Sequence, residues 1–175
     1  MISSEIDKLI RDVEDFPKKG IIFKDITTLL MDKEVSDKII DKFILETSNL
    51  KIDAIAGIES RGFLYGFLLA NRLNIPFIPI RKSGKLPCDT KKYKYDLEYG
   101  SSEIEIHNKD VKKDWNILVH DDLLATGGTA CASAELIKLC QANVIGFTFV
   151  IELGFLNGLD KLKKYSNNII SLKTY

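Results

Sequence analysis

Apolar positions near the N-terminus recur at helical spacing. Ile6, Leu9, Ile10 and Val13 fall at i, i+3, i+4 and i+7, and Ser4 with Asp7 fits a capping box. This predicts an amphipathic helix ended by the turn residues Pro17 and Gly20. A short apolar piece, Ile21 to Phe23, follows, and then a second helix over Ser36 to Thr47. Compact apolar runs at Asp53 to Ile58, Phe77 to Ile80, Trp115 to His120, Val144 to Glu152 and Ile169 to Leu172 predict strands. Phe63 to Leu73, Thr129 to Gln141 and Asn157 to Lys164 predict helices between them. The strands are apolar throughout rather than alternating, as strands covered on both faces are. The expected fold is therefore α/β, a mostly parallel sheet flanked by helices. Ligands in such sheets bind at the carboxyl ends of the strands.

One stretch, residues 81–108, breaks the pattern. It carries Arg81, Lys82, Lys85, Lys91, Lys92 and Lys94, three tyrosines and little helical periodicity. It reads as a flexible lid, built as a two-stranded ribbon over Tyr93–Leu97 and Glu103–Ile106. No repeat or low-complexity segment stands out, and 175 residues suit a single domain.

Composition narrows the function classes. Hydrophobic residues at 45% and charged residues at 29% exclude disorder for the bulk of the chain. Lys plus Arg equals Asp plus Glu at 25 each, so binding to nucleic acid by general electrostatics is not expected. No apolar run is long enough for a membrane span, and the N-terminus is no signal peptide. Cys88, Cys131 and Cys140 form no disulfide framework and suit free thiols in the cytoplasm. His107 and His120 stand apart from other ligand types, so a protein-built metal site is not expected.

The sharpest chemical feature runs from Asn116 to Thr129. An apolar strand ends in Asp121 and Asp122, and the small-residue loop Ala125, Thr126, Gly127, Gly128 opens a helix at Thr129. Adjacent glycines let backbone N–H groups turn inward, and the helix N-terminus adds free N–H groups and partial positive charge. Together they suit a phosphate, with hydroxyl donors from Thr126 and Thr129. Ionised carboxylates only accept hydrogen bonds, so Asp121 and Asp122 suit the two hydroxyls of a ribose. A ribose 5-phosphate would span both. Neither a Walker loop nor a dinucleotide fingerprint is present.

The stretch Val119–Thr129 (VHDDLLATGGT) resembles the phosphoribosyl pyrophosphate motif of type I phosphoribosyltransferases. Asp15–Ile26 (DFPKKGIIFKDI), Gly57–Phe63 (GIESRGF), Arg81–Pro87 (RKSGKLP) and Leu97–Gly100 (LEYG) each resemble an adenine phosphoribosyltransferase segment, in that family's order. The sequence departs from the pattern at Lys24, where the family often has Arg, and at His120, where an aliphatic residue is usual. The resemblance implies transfer of a 5-phosphoribosyl group from phosphoribosyl pyrophosphate to adenine, giving AMP and pyrophosphate in purine salvage. It also implies Mg²⁺ carried by phosphoribosyl pyrophosphate, a homodimer, and a base-binding hood over residues 1–34.

Under that resemblance the residues take roles. Arg61, Arg81, Lys82 and Lys85 would meet the charge of the departing pyrophosphate. A strained, non-proline cis peptide between Glu59 and Ser60 would aim an N–H at it. The backbone of Ile22 and Lys24 would read the edge of adenine, with Phe23 stacked on the purine and Leu123 below. The lid from Pro87 to Ile106 would close over an oxocarbenium-like transition state and exclude water from it. Glu98, beside Tyr99, would handle the proton on the purine ring.

Two alternatives stay open at this point. One is a phosphoribosyltransferase for 6-oxopurines or orotate, against which the Phe23 segment argues. The other is a DNA-binding regulator that senses purines through the same pocket. That reading calls for an additional N-terminal domain and a basic face, and the strand-like piece already begins at Ile21.

Overall fold

The computed structural model describes residues 1–96 and 100–175. Its centre is a seven-stranded sheet in the order β5 (Thr90–Asp96), β6 (Ser101–His107), β4 (Phe77–Lys82), β3 (Ala54–Ile58), β7 (Asn116–Leu124), β8 (Asn143–Glu152) and β9 (Ile169–Thr174). The five strands from β4 to β9 in this order pair in parallel with one another, and β4 pairs antiparallel with β6. The α/β expectation holds for a physical reason visible in β3, where all five residues are buried. Ala54, Ala56 and Val119 face one core, shared with helix α5 (Gly128–Leu139). Ile55 and Leu118, one residue out of phase, face a second core with helices α3 (Lys33–Glu46) and α4 (Gly62–Leu73).

The ribbon at 81–108 is real, but it is also the edge of the central sheet. β5 (Thr90–Asp96) pairs antiparallel with β6 (Ser101–His107), and β6 joins β4 through Arg81↔Glu105 and Lys82↔Ile104. Leu97, Glu98 and Tyr99 lie outside the described residues.

The N-terminal expectation needs correction. Helix α1 spans Ile2–Leu9 and starts before Ser4, so Ser4 and Asp7 form no capping box. The Ser4 hydroxyl instead donates to the Met1 carbonyl at 2.8 Å. Ile10 leaves the helix with ψ 134°, and Val13 sits in β1 (Arg11–Glu14), paired antiparallel with β2 (Ile22–Asp25). Pairing with a strand further along the chain overrides the helical spacing. Arg11 Nε donates to Asp25 at 3.1 Å across this hairpin. A short helix α2 (Thr27–Met31) and the start of α3 were not expected. Asp32 caps α3 by accepting from the Val35 N–H at 3.0 Å, which moves its start a turn ahead of Ser36. Ile6, Ile26 and Leu29 bury this N-terminal region against α3.

Candidate active site

β3, β4 and β7 run parallel side by side, so their carboxyl ends share one edge of the sheet. β3 delivers Glu59, Ser60 and Arg61 there, just before α4, and the Glu59–Ser60 peptide is cis. β4 delivers Arg81 and Lys82, and β7 delivers the acid pair. β7 runs on through Leu124, because β8 supplies partners as far as Leu124↔Glu152. The two acids thus lie within the strand rather than beyond its end.

A cavity of about 360 Å³ occupies this edge, walled by Ser60, Arg61, Lys82, Asp121, Asp122 and Leu123. Adjoining it, a recess of about 80 Å³ is cradled by Ala125, Thr126, Gly127, Gly128 and Thr129. Asp121, Leu123 and Thr129 border both spaces, so acid pair and small-residue loop form one continuous site. Gly127 holds the left-handed conformation at φ +77°, and no side chain among the described residues caps α5. The back of the loop rests on Gly158, whose added Cβ would come within 2.1 Å of the Ala125 carbonyl. Tyr95 reaches across from the ribbon, its hydroxyl 3.1 Å from that of Thr129.

The two acids differ in their surroundings. Asp122 is buried and pairs with Arg61 Nε at 2.8 Å. Asp121 accepts from the Asp122 N–H at 2.9 Å. Burial, followed by the neighbouring Asp122 charge, pushes the Asp121 carboxyl well above the usual carboxylate range. Burial also raises Asp122, and Arg61 pulls against it. Both acids therefore hold protons more readily than the fully ionised pair expected from sequence.

The cations also divide. Arg61 faces Asp122 and lies 4.9 Å from the centre of the Phe23 ring, tying β2 to the acid pair. Lys82 lines the cavity, while Arg81 and Lys85 turn to Glu59 at 3.3 and 2.9 Å. Glu59 also accepts from the Lys82 N–H at 2.9 Å. Burial opposes its charge, yet Lys85, that N–H and Arg81 outweigh it and hold its pKa below the usual value. Glu59 thus braces the cationic loop with its carboxylate. Ile22 and Lys24 share one phase of β2, and the Lys24 ammonium turns away to Asp12 at 2.7 Å and over the Tyr175 ring at 3.9 Å.

The family model for the phosphoribosyl transferase domain matches residues 29–172. An adenine phosphoribosyltransferase of Christiangramia forsetii is 48% identical over 171 residues, 98% of this chain and 99% of that one. The chain belongs to the adenine phosphoribosyltransferase family. Among solved structures, the adenine phosphoribosyltransferase of Thermoanaerobacter pseudethanolicus superposes with a TM-score of 0.95 at 45% identity, covering 100% of both chains. That of Saccharomyces cerevisiae, complexed with adenine and an imino-altritol bisphosphate, gives 0.90 at 38% identity, over 97% of this chain and 96% of that one. For an adenine phosphoribosyltransferase, two residues here escaped the motif reading. Gly158 and Tyr95 meet the site through contacts distant in sequence, so no local spacing marks them.

Proposed function

We propose that the chain transfers the 5-phosphoribosyl group of phosphoribosyl pyrophosphate to adenine, with the carboxyl-edge cavity as the reaction site. The observation that carries this reading is the continuity of the acid-lined cavity with the glycine-floored recess at a helix N-terminus. The recess takes the 5-phosphate through backbone N–H groups and the Thr126 and Thr129 hydroxyls. Asp121 and Asp122 take the ribose hydroxyls, and Lys82 with the Ser60 N–H takes the pyrophosphate. Phe23, under the Arg61 guanidinium, stacks on the base. β2 has one strand partner among the described residues, so alternate backbone groups face away from β1. Those of Ile22 and Lys24 accept the exocyclic N–H of adenine and donate to its bare N1. Hypoxanthine reverses that pattern and would leave buried groups unpaired.

In the reaction, adenine N9 bonds to the anomeric carbon as the bond to pyrophosphate breaks, and the purine gives up a proton. Glu98 is the acceptor assigned from sequence. The site suits an ion carried by the ligand: the carboxylates at its wall are Glu59, Asp121 and Asp122, of which Arg81 and Lys85 already hold the first and Arg61 the last. Mg²⁺, when bound with phosphoribosyl pyrophosphate, supplies charge neutralisation at the leaving group.

A homodimer is supported by the apolar stripe on α4, where Leu64, Phe67 and Leu68 are 41%, 56% and 43% exposed just after Arg61. A cytoplasmic location is supported by the free thiols of Cys88, Cys131 and Cys140. No helix among the described residues is long and apolar enough to cross a membrane.

The test is pyrophosphate release from phosphoribosyl pyrophosphate with Mg²⁺, with and without adenine. The reading expects release that requires adenine and matches AMP formed. Equal release without adenine would make the protein a hydrolase.

A further inference from the structure

Glu105 is the most buried acid among the described residues, 1% exposed, and the chemistry above gives it no task. In β6 it sits between Ile104 and Ile106, which enter the core with Ile58 and Ile80. Alternation along the strand turns Glu105 to the opposite face. There it meets the loop joining β4 to β5. One carboxylate oxygen accepts from the Lys85 and Leu86 N–H groups, each at 2.8 Å. The other accepts from the Thr90 hydroxyl at 3.2 Å, with the Lys92 ammonium 3.8 Å away. The Gly84 N–H also acts on this carboxylate, and Gly84 has φ +85°. Successive backbone N–H groups converging in this way form an anion nest. Here the anion is supplied by the protein itself.

We propose that Glu105 is a positioning residue for the pyrophosphate side of the site: its carboxylate fixes the loop of residues 83–86, and through it Lys82 and Lys85, before a ligand arrives. Lys85 is then held from three directions. Glu105 takes its N–H, Arg81 donates to its carbonyl at 3.1 Å, and Glu59 takes its ammonium at 2.9 Å. Cross-strand pairing places Arg81 directly opposite Glu105, so strand register and loop shape are set together. A loop ordered in advance does not lose its conformational freedom on binding, which favours affinity for the polyphosphate. Burial works against the Glu105 charge, but the N–H groups of Leu86, Gly84 and Lys85 and the Thr90 hydroxyl outweigh it and lower its pKa.

The inference rests on the cavity being the phosphoribosyl pyrophosphate site. Two variants grade it. Glu105→Gln keeps an acceptor for the loop and removes the charge, and Glu105→Met removes both acceptors at similar volume. KM for phosphoribosyl pyrophosphate should rise about 3-fold in the first and about 10-fold or more in the second. KM for adenine, and kcat at saturation, should stay within about twofold of wild type. Wild-type protein that forms no AMP would overturn the reading of the site. Active wild type whose KM for phosphoribosyl pyrophosphate is shared by both variants would overturn the positioning role. Should the Met variant fail to fold, amide exchange in the ligand-free wild type decides. Protected Gly84, Lys85 and Leu86 amides are expected, and exchange at unstructured-chain rates would refute a preformed loop.

Discussion

His120 offers a quantitative test of how tightly the site's central strand is buried. It is 0% exposed, one residue before Asp121, with the Phe43 ring edge-on at 5.4 Å. Its Nδ1 lies 3.0 Å from the Thr148 hydroxyl, and its Nε2 is buried with no hydrogen-bond partner among the described residues. Burial pushes its pKa from 6.5 down to about 3. The folded protein therefore keeps this imidazole neutral through mildly acid pH, while the unfolded chain takes up a proton near 6.5. The unfolded state binds more protons across that window, so this group's contribution is full above pH 6.5 and is lost as pH falls toward 3. Between pH 7 and pH 5 the loss is about 2 kcal/mol by linkage. Asp121 and Asp122, with raised pKa values, act in the opposite sense and give the folded state stability as pH falls. Comparing wild type with His120→Val cancels them. Thr148 keeps a partner in the variant, since its hydroxyl lies 3.4 Å from the Val119 carbonyl. Urea unfolding at pH 7, 6 and 5 should show the variant gaining about 2 kcal/mol on wild type as pH drops. A difference independent of pH would refute a neutral, buried His120.

Other consequences lie in the site itself. Asp122→Asn removes the charge paired with Arg61, and steady-state kinetics should show KM for phosphoribosyl pyrophosphate raised about 10-fold or more. Gly158→Ala places a methyl against the Ala125 carbonyl. Isothermal titration with phosphoribosyl pyrophosphate should show affinity weakened by about 1–3 kcal/mol, with unaltered affinity contradicting the loop's rigid support. Glu98→Gln should lower kcat by about 10²-fold or more while KM changes little, and an intact kcat would remove its proton-transfer role.

The strand–loop–helix around the small recess was legible because its parts are adjacent in sequence, from Asn116 to Thr129. The same local logic exposed the β3 strand and the ribbon. What escaped depends on distant pairing. Arg11 to Glu14 carry a spacing that a helix accepts, and only β2 makes them a strand. Arg81, Lys82 and Lys85 were visible as charge. Their division was not, because Glu59 lies 22 residues before Arg81 and Glu105 lies 20 after Lys85. The acid pair was read as a ribose site, but its shift toward protonation follows from burial that no spacing encodes.

A site that joins a phosphoribosyl group to adenine through the Ile22–Lys24 backbone should reject other bases. Purified protein with phosphoribosyl pyrophosphate and Mg²⁺, offered adenine, hypoxanthine, guanine and orotate in separate reactions, tests it directly. The expected result is AMP from adenine and no nucleotide from the other three. IMP, GMP or orotidylate formed at a comparable rate would contradict it.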